Sequence, residues 1–148
     1  MPEQKTLQRA ARDKREGKAP STQAGEFVRE EMDHIREGKH GARSTKQAIA
    51  IGLSKARRAG VALPPPKKGK TSAATRRGAQ LAIKKSRSGA KPSPIRSRAT
   101  ENALRREGSA AASKPALARQ ARSSARKRGS KERSMAAQKA ARTRSRSR

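Results

Sequence analysis

The sequence predicts a mainly α protein. A small three-helix, helix-turn-helix-like module covers residues 1–62, a Pro/Lys linker covers 63–70, and a basic tail covers 71–148. The tail is expected to be largely disordered, or helical only when a polyanionic partner induces it. Three observations predict this. Apolar residues of the first half recur at helical spacing, capping residues and glycines bracket those runs, and the charge is far too positive for one large core. The chain has 40 Lys and Arg against 11 Asp and Glu, a net charge of +29, and 30% hydrophobic residues with Phe27 the single aromatic. Such a composition buries too little apolar surface to offset the ordering entropy of 148 residues.

The first predicted helix, about Lys5 to Glu16, places Leu7, Ala10 and Ala11 on one side and ends near Gly17. Pro20 opens the second, with Ser21 and Thr22 as cap candidates and Gly38 as its end. Ala24, Phe27, Val28, Met32 and Ile35 form its apolar stripe, and Glu26, Glu30, Glu31, Asp33 and Glu37 face Arg29 and Arg36 on the other side. Arg43–Gly60 supplies the third helix. Ser44 and Gln47 read as a capping box, Ile49, Leu53 and Ala56 form a narrow stripe, and Gly60 closes the run. Alternation over Ala48–Leu53 also fits a short strand, but cap and glycine favour helix.

Arg15-Glu16-Gly17-Lys18 precedes Ser21, and Arg36-Glu37-Gly38-Lys39 precedes Ser44; Arg106-Glu107-Gly108 before Ser113 is a weaker echo. Duplication or shared capping chemistry would produce this repetition, and capping alone is the simpler account. The expected core is Leu7, Phe27, Val28, Met32, Ile35, Ile49, Ile51, Leu53, Val61 and Leu63. Ile51 lies on the far side of its helix from Ile49, which points to self-association or a contact with the tail. So small a core predicts a marginal monomer, a homodimer, or folding coupled to binding.

Pro64, Pro65 and Pro66 mark the boundary as a stiff spacer. Beyond it, Thr71–Lys85, Arg98–Glu107, Pro115–Lys127 and Lys131–Arg142 are rich in alanine and arginine and helix-capable. Like charges at i, i+4 oppose these helices in water, and phosphates would remove the opposition. Leu81, Ile83, Leu104 and Leu117 are too sparse for a core.

Residues 1–62 carry 14 basic and 8 acidic side chains, and residues 63–148 carry 26 and 3. A surplus of this size calls for a polyanionic partner, nucleic acid before an anionic membrane. No apolar run reads as a secretory signal or a membrane span, so a cytoplasmic, nucleoid-associated protein with no membrane partner is expected. With no cysteine, zinc fingers and thiol chemistry are excluded. His34 with Glu30 or Glu37 has metal-ligand spacing, but a solvated polar face is the simpler reading. Neither a metal nor any cofactor is expected. Paired carboxylates such as Glu30 and Glu31 lack an apolar pocket to split their acidities, so no enzyme activity is expected. Gly69–Ser72 lacks the upstream glycine of a phosphate-binding loop. Lys91–Arg96 is similar to the Ser-Pro-basic turns of linker-histone tails, with a plain loop the preferred reading.

Charge density points to duplex DNA, bound without sequence preference through phosphates, in a histone-like architectural role. One asparagine and no stacking aromatics speak against base reading and single strands. The expected DNA-binding residues are Ser44, Lys46, Lys55, Arg57 and Arg58 on the third helix. In the tail they are Arg76, Arg77, Lys84, Lys85, Arg96, Arg98, Arg105, Arg106, Arg126, Lys127 and Arg128. The third helix is expected to face DNA with the acidic second as its support, and the Ser44 end offers a phosphate dock. The rival readings are an RNA- or ribosome-binding protein, and a regulatory module whose second helix engages a protein while the tail tethers it.

The run STQAGEFVREEMDHIREGKHGARSTKQAIAIGLSKARRAGV at Ser21–Val61 resembles a family of small, very basic bacterial proteins, largely uncharacterised and commonly labelled DNA-binding. Arg96–Arg128 is similar to their Ala/Arg-rich tails. The resemblance implies a bacterial origin and DNA binding, and it transfers no catalytic residue.

Overall fold

Seven α-helices and one 3-10 turn make up the described residues, 1–146, of the computed structural model; no strand occurs among them. The helices are α1 (Gln4–Arg15), α2 (Pro20–Arg36), α3 (Thr45–Arg58), α4 (Ala73–Ser88), α5 (Pro94–Arg105), α6 (Lys114–Lys127) and α7 (Ser130–Arg146), with the 3-10 turn at Ala110–Ala112. The all-helical class is the one the sequence predicts. The last two residues of the RTRSRSR ending lie outside the described residues.

Capping explains most boundaries. Ser44 Oγ accepts from the Gln47 N–H at 3.2 Å, and Gln47 Oε1 accepts from the N–H of Arg43 at 2.7 Å. The box forms, with its return bond one residue upstream of the cap. Three helices end in the same 6→1 turn: Lys18 N to Asp13 O, Lys39 N to His34 O, and Val61 N to Ala56 O, at 2.9, 3.0 and 3.1 Å. Each turn needs a left-handed residue before its donor. Gly17, Gly38 and Gly60 supply it, with φ of 70°, 73° and 89°. At α2 the expectation fails: Ala19 is the cap, without a side-chain bond, because Pro20 occupies the first helical position, where its missing N–H and fixed φ suit the helix. Ser113, from the weaker echo, does cap α6, accepting from Ala116 N at 3.3 Å.

Phe27, Ala10, Ala24 and Ala56 form one buried cluster, flanked by Leu7, Leu53, Val61 and Leu63. Met32, Ile35, Ala42, Ala48, Ala111 and Ala112 form the other, flanked by Val28, Ile49 and Leu117. The second cluster reaches across the proline segment. Ala111 and Ala112 belong to the segment read as tail, yet they complete the core. Thr45 Oγ1 donates to Ala111 O at 2.6 Å, and Arg36 Nε donates to Ala112 O at 3.0 Å. The α4 helix also packs against α3, burying Ala79 and Ala82. Ile51 is half-buried rather than a free apolar knob.

The tail departs from the expectation of disorder: α4, α5, α6, the 3-10 turn and α7 cover most of its described residues. Alanine and arginine favour helix, serine caps α4 and α6, and alanines give α4 and the 3-10 turn surfaces to bury. Ser72, from the GKTS run, accepts from Thr75 N as the cap of α4. In the Ser-Pro stretch residues 91–93 are loop, and α5 begins at Pro94, with Ser93 preceding it and making no side-chain capping bond.

The core face of α3 differs from the predicted stripe. Thr45, Ala48, Gly52 and Ala56 are buried, while Ile49 and Leu53 flank them. A methyl on Gly52 would lie 2.7 Å from the Val28 Cα and 2.9 Å from its N, so α2 and α3 approach at backbone distance. Gly52→Ala, stabilising in an ordinary helix by its propensity, is therefore expected to destabilise here by about 1–3 kcal/mol. Urea unfolding checks the sign.

Candidate nucleic-acid interface

Ion pairing decides which charges reach solvent. All eight acids of residues 1–62 pair within the chain: Glu3, Asp13, Glu16, Glu26, Glu30, Glu31, Asp33 and Glu37. Glu101 and Glu107 pair with Arg105 and Arg43. The acidic side of α2 is thus not the solvated face its composition suggests. Glu30 and Glu31 are buried, and Lys55 from α3 lies 3.6 Å from Glu30 Oε1 and 2.7 Å from Glu31 Oε2. Glu30 Oε2 also accepts from the backbone N–H of Glu3 at 3.1 Å, which fastens the start of α1 to α2. Arg9 meets Glu26 at 2.6 Å on the same interface.

Electrostatics at the surface follow the same partners. Hydrogen bonds from His34 and then Lys39 hold the Glu3 carboxyl below the ordinary carboxylate range. Glu37 and Glu3 raise the Lys39 ammonium, and Glu16 and Asp13 raise that of Lys18. Burial lowers the pKa of the Arg57 guanidinium.

Two of the basic residues predicted on the third helix are therefore turned inward. Lys55 is held by the α2 carboxylates. Arg57 is buried and donates to the carbonyls of Leu63 (3.4 Å) and Pro64 (3.2 Å), pinning the proline segment to the end of α3. Reversing Lys46, Lys55, Arg57 and Arg58 together would break the fold and no longer isolate a phosphate contact. What α3 leaves to solvent is a narrow row at i, i+4 spacing, with Lys46, Ala50 and Arg58 exposed and Ser54 half-buried. Arg58 donates to the Ser54 carbonyl and hydroxyl within that row. On its remaining sides α3 is covered by α2, α4, α6 and the 3-10 turn.

The exposed end of α3 instead opens into a groove of about 520 Å³ shared with α6, lined by Arg43, Ser44, Lys46, Arg119, Gln120 and Ser123 among others. A second depression continues along α6 between Arg119, Arg122, Ser123, Arg126 and Lys127. The continuity has a simple origin. Leu117 packs on the core, and residues 119, 122 and 126 fall 200°, 140° and 180° around the helix from it at about 100° per residue. Anchoring one side of α6 thus presents the other as a row of guanidinium groups beside the start of α3.

Residues 3–68 match a family of unknown function, DUF6496. The match spans the first three helices and the proline segment and leaves α4–α7 outside it. No curated protein and no solved structure matches the chain.

Among the predicted contacts, Ser44 and Lys46 line the α3–α6 groove, and Arg126 and Lys127 line the second depression, which shares Arg119 and Ser123 with it. Arg77, Lys84 and Lys85 are exposed on α4, where Arg76 is half-buried; Arg96, Arg98, Arg105 and Arg106 are exposed on or beside α5. Arg105 is tied to Glu101 at 2.7 Å, and Arg128 is exposed just past α6. Arg43, Arg119 and Arg122 were not among the predicted contacts. The i, i+3, i+7 spacing of Arg119, Arg122 and Arg126 carries that signal once Leu117 is read as an anchor rather than an isolated apolar residue. No helix among the described residues is long and apolar enough to cross a membrane.

Proposed function

We propose that this chain binds duplex DNA without sequence preference, through phosphate contacts, as a nucleoid-associated architectural protein. One observation carries the reading: ten of the eleven acidic side chains are paired inside the chain, so the net charge of +29 resides on exposed lysines and arginines that need an outside counterion. Phosphates supply it, releasing condensed cations from the duplex. The α3–α6 groove adds geometry to charge. Arg43, Lys46 and Arg119 converge near the first turn of α3, where backbone N–H groups and the positive end of the helix dipole favour an anion.

In the helix-turn-helix-like picture, α3 is the DNA-facing helix and α2 its support. Here α2 supports α3 by neutralising Lys55, and α3 contributes its N-terminal end and the Lys46–Arg58 row rather than a whole reading face. Base recognition has no side-chain platform in either helix, so affinity comes from the backbone.

A filter-binding competition tests the reading. Labelled duplex bound to the full chain is challenged with unlabelled duplex of unrelated sequence or with structured RNA. The unrelated duplex is expected to compete as well as the identical one, and RNA less well. RNA competing more strongly at equal phosphate concentration would transfer the function to RNA.

A further inference from the structure

The chain has two histidines and no cysteine, and the fold brings both histidines to one place. His34 lies near the end of α2 and His40 in the connection to α3, with ring centroids 6.1 Å apart and planes at 86°. Glu31 precedes His34 by three residues, so both side chains leave α2 on one side. Its side chain is fully buried, while each histidine side chain keeps 14% exposure. One ligand atom from each of Glu31, His34 and His40 lies within 4.8 Å of the others.

The hydrogen bonds around His40 ask for a cation. Its Nδ1 is 3.1 Å from the Gly41 carbonyl, which can only accept, so Nδ1 carries a hydrogen. The neutral ring then presents the lone pair of Nε2. That lone pair faces Glu31 Oε1 at 3.2 Å, a buried oxygen that accepts no hydrogen bond. Two lone pairs meeting in the interior repel, and either a second proton or a metal ion relieves the contact. An imidazole whose Nδ1–H is fixed by a backbone carbonyl and whose Nε2 is directed inward has the arrangement that orients metal-bound histidines. His34 Nε2 meets Glu3 Oε1 at 2.8 Å, so a carboxylate beside the start of α1 accepts from the His34 ring and fixes its orientation.

We infer that one ring nitrogen of His34, His40 Nε2 and Glu31 Oε1 form a binding site for one divalent metal ion of the zinc class, with Glu3 orienting the His34 ring. Imidazole with carboxylate suits first-row transition ions better than the oxygen-seeking calcium or magnesium. Lys55 holds the other Glu31 oxygen at 2.7 Å, which leaves Oε1 as a single ligand atom. Glu30 and Glu31 outnumber Lys55 by one charge at the buried end of the site, and Lys39, half-exposed, is shared between Glu3 and Glu37. An ion here fastens the end of α2 to the α2–α3 connection, so its role is structural.

The test uses the full chain, stripped with a chelator and titrated with Co²⁺ as the spectroscopic probe and Zn²⁺ as competitor. One Co²⁺ per chain, with a visible absorption band that Zn²⁺ abolishes, is expected. His34→Gln or His40→Gln should weaken binding by roughly 10- to 100-fold or more, the range that even outer partners of such ligands carry. Far-UV circular dichroism of each variant confirms that it is folded. Zn²⁺ should raise the thermal midpoint of the parent chain and not of the variants, and Mg²⁺ should raise neither. Binding unchanged in both histidine variants would place the ion on scattered carboxylates and overturn the site. Imidazolium signals persisting for both rings in ¹⁵N spectra at saturating Zn²⁺ would also overturn it, because a proton then fills the gap.

Discussion

Lys55→Ala is expected to lower the stability of the chain by about 3 kcal/mol, near the bottom of the range for breaking a buried ion pair because the Lys55 side chain keeps some solvent contact. The deletion strands Glu31, whose side chain is fully buried, and removes the nearest positive charge from Glu30. Two neighbouring carboxylates of α2 are then left at the α2–α3 contact, with the Glu3 N–H donating to Glu30. Urea unfolding followed by circular dichroism measures the loss. The sign of the partner change separates pairing from packing. Adding Glu31→Gln to Lys55→Ala should recover part of the stability, since a neutral amide at that position no longer lacks a counterion. Equal loss in the single and double variants would mean that Lys55 acts through its aliphatic stem.

Reversing Arg119, Arg122 and Arg126 to glutamate is expected to weaken duplex binding by roughly 100-fold or more near 0.1 M salt. Each lost phosphate contact removes about 0.9 from the slope of log affinity against log salt, and so about 0.9 log unit at that concentration. The salt dependence should become shallower by about 2–3 in slope. These three side chains are exposed and make no core contact, so helix content should not change. The same reversal at Arg96, Arg98 and Arg106 is expected to cost less, because those residues do not border the groove that meets the end of α3. Equal losses at both sets would indicate that the tail acts as a diffuse cation with no preferred face.

The helices of residues 1–62 were legible because their signals are local. A serine cap with a glutamine three residues on, a glycine where the chain must turn left-handed, and an apolar stripe from Ala24 to Ile35 each act within a few residues. Phe27, Met32 and Ile35 are the large side chains at the centre, as the stripe predicts. Core positions filled by small residues were not legible. Ala48, Gly52 and Ala56 read as neutral, yet close helix approach makes them the buried row, and Ala111 and Ala112 seal Ile35 and Ala48 from more than sixty residues away in sequence. The charged face of α2 misled for a related reason. Composition reports how many acids a helix carries, but only the fold shows that Lys55, Arg9, His40 and the Glu3 N–H converge on them. Of the candidate interface, the charge and its location in the second half were legible. Its convergence was not, because it depends on Leu117 anchoring α6 beside Ser44.

The most direct test of the central claim is the affinity of the full chain for short duplexes of unrelated sequence, measured across a series of salt concentrations. Contacts from Arg43, Lys46, Arg119, Arg122, Arg126 and Lys127 predict a linear fall of log affinity with log salt at a slope of about −5 or steeper, the same for every sequence. Affinity that is absent at low salt, or that holds level as salt rises, would contradict the account.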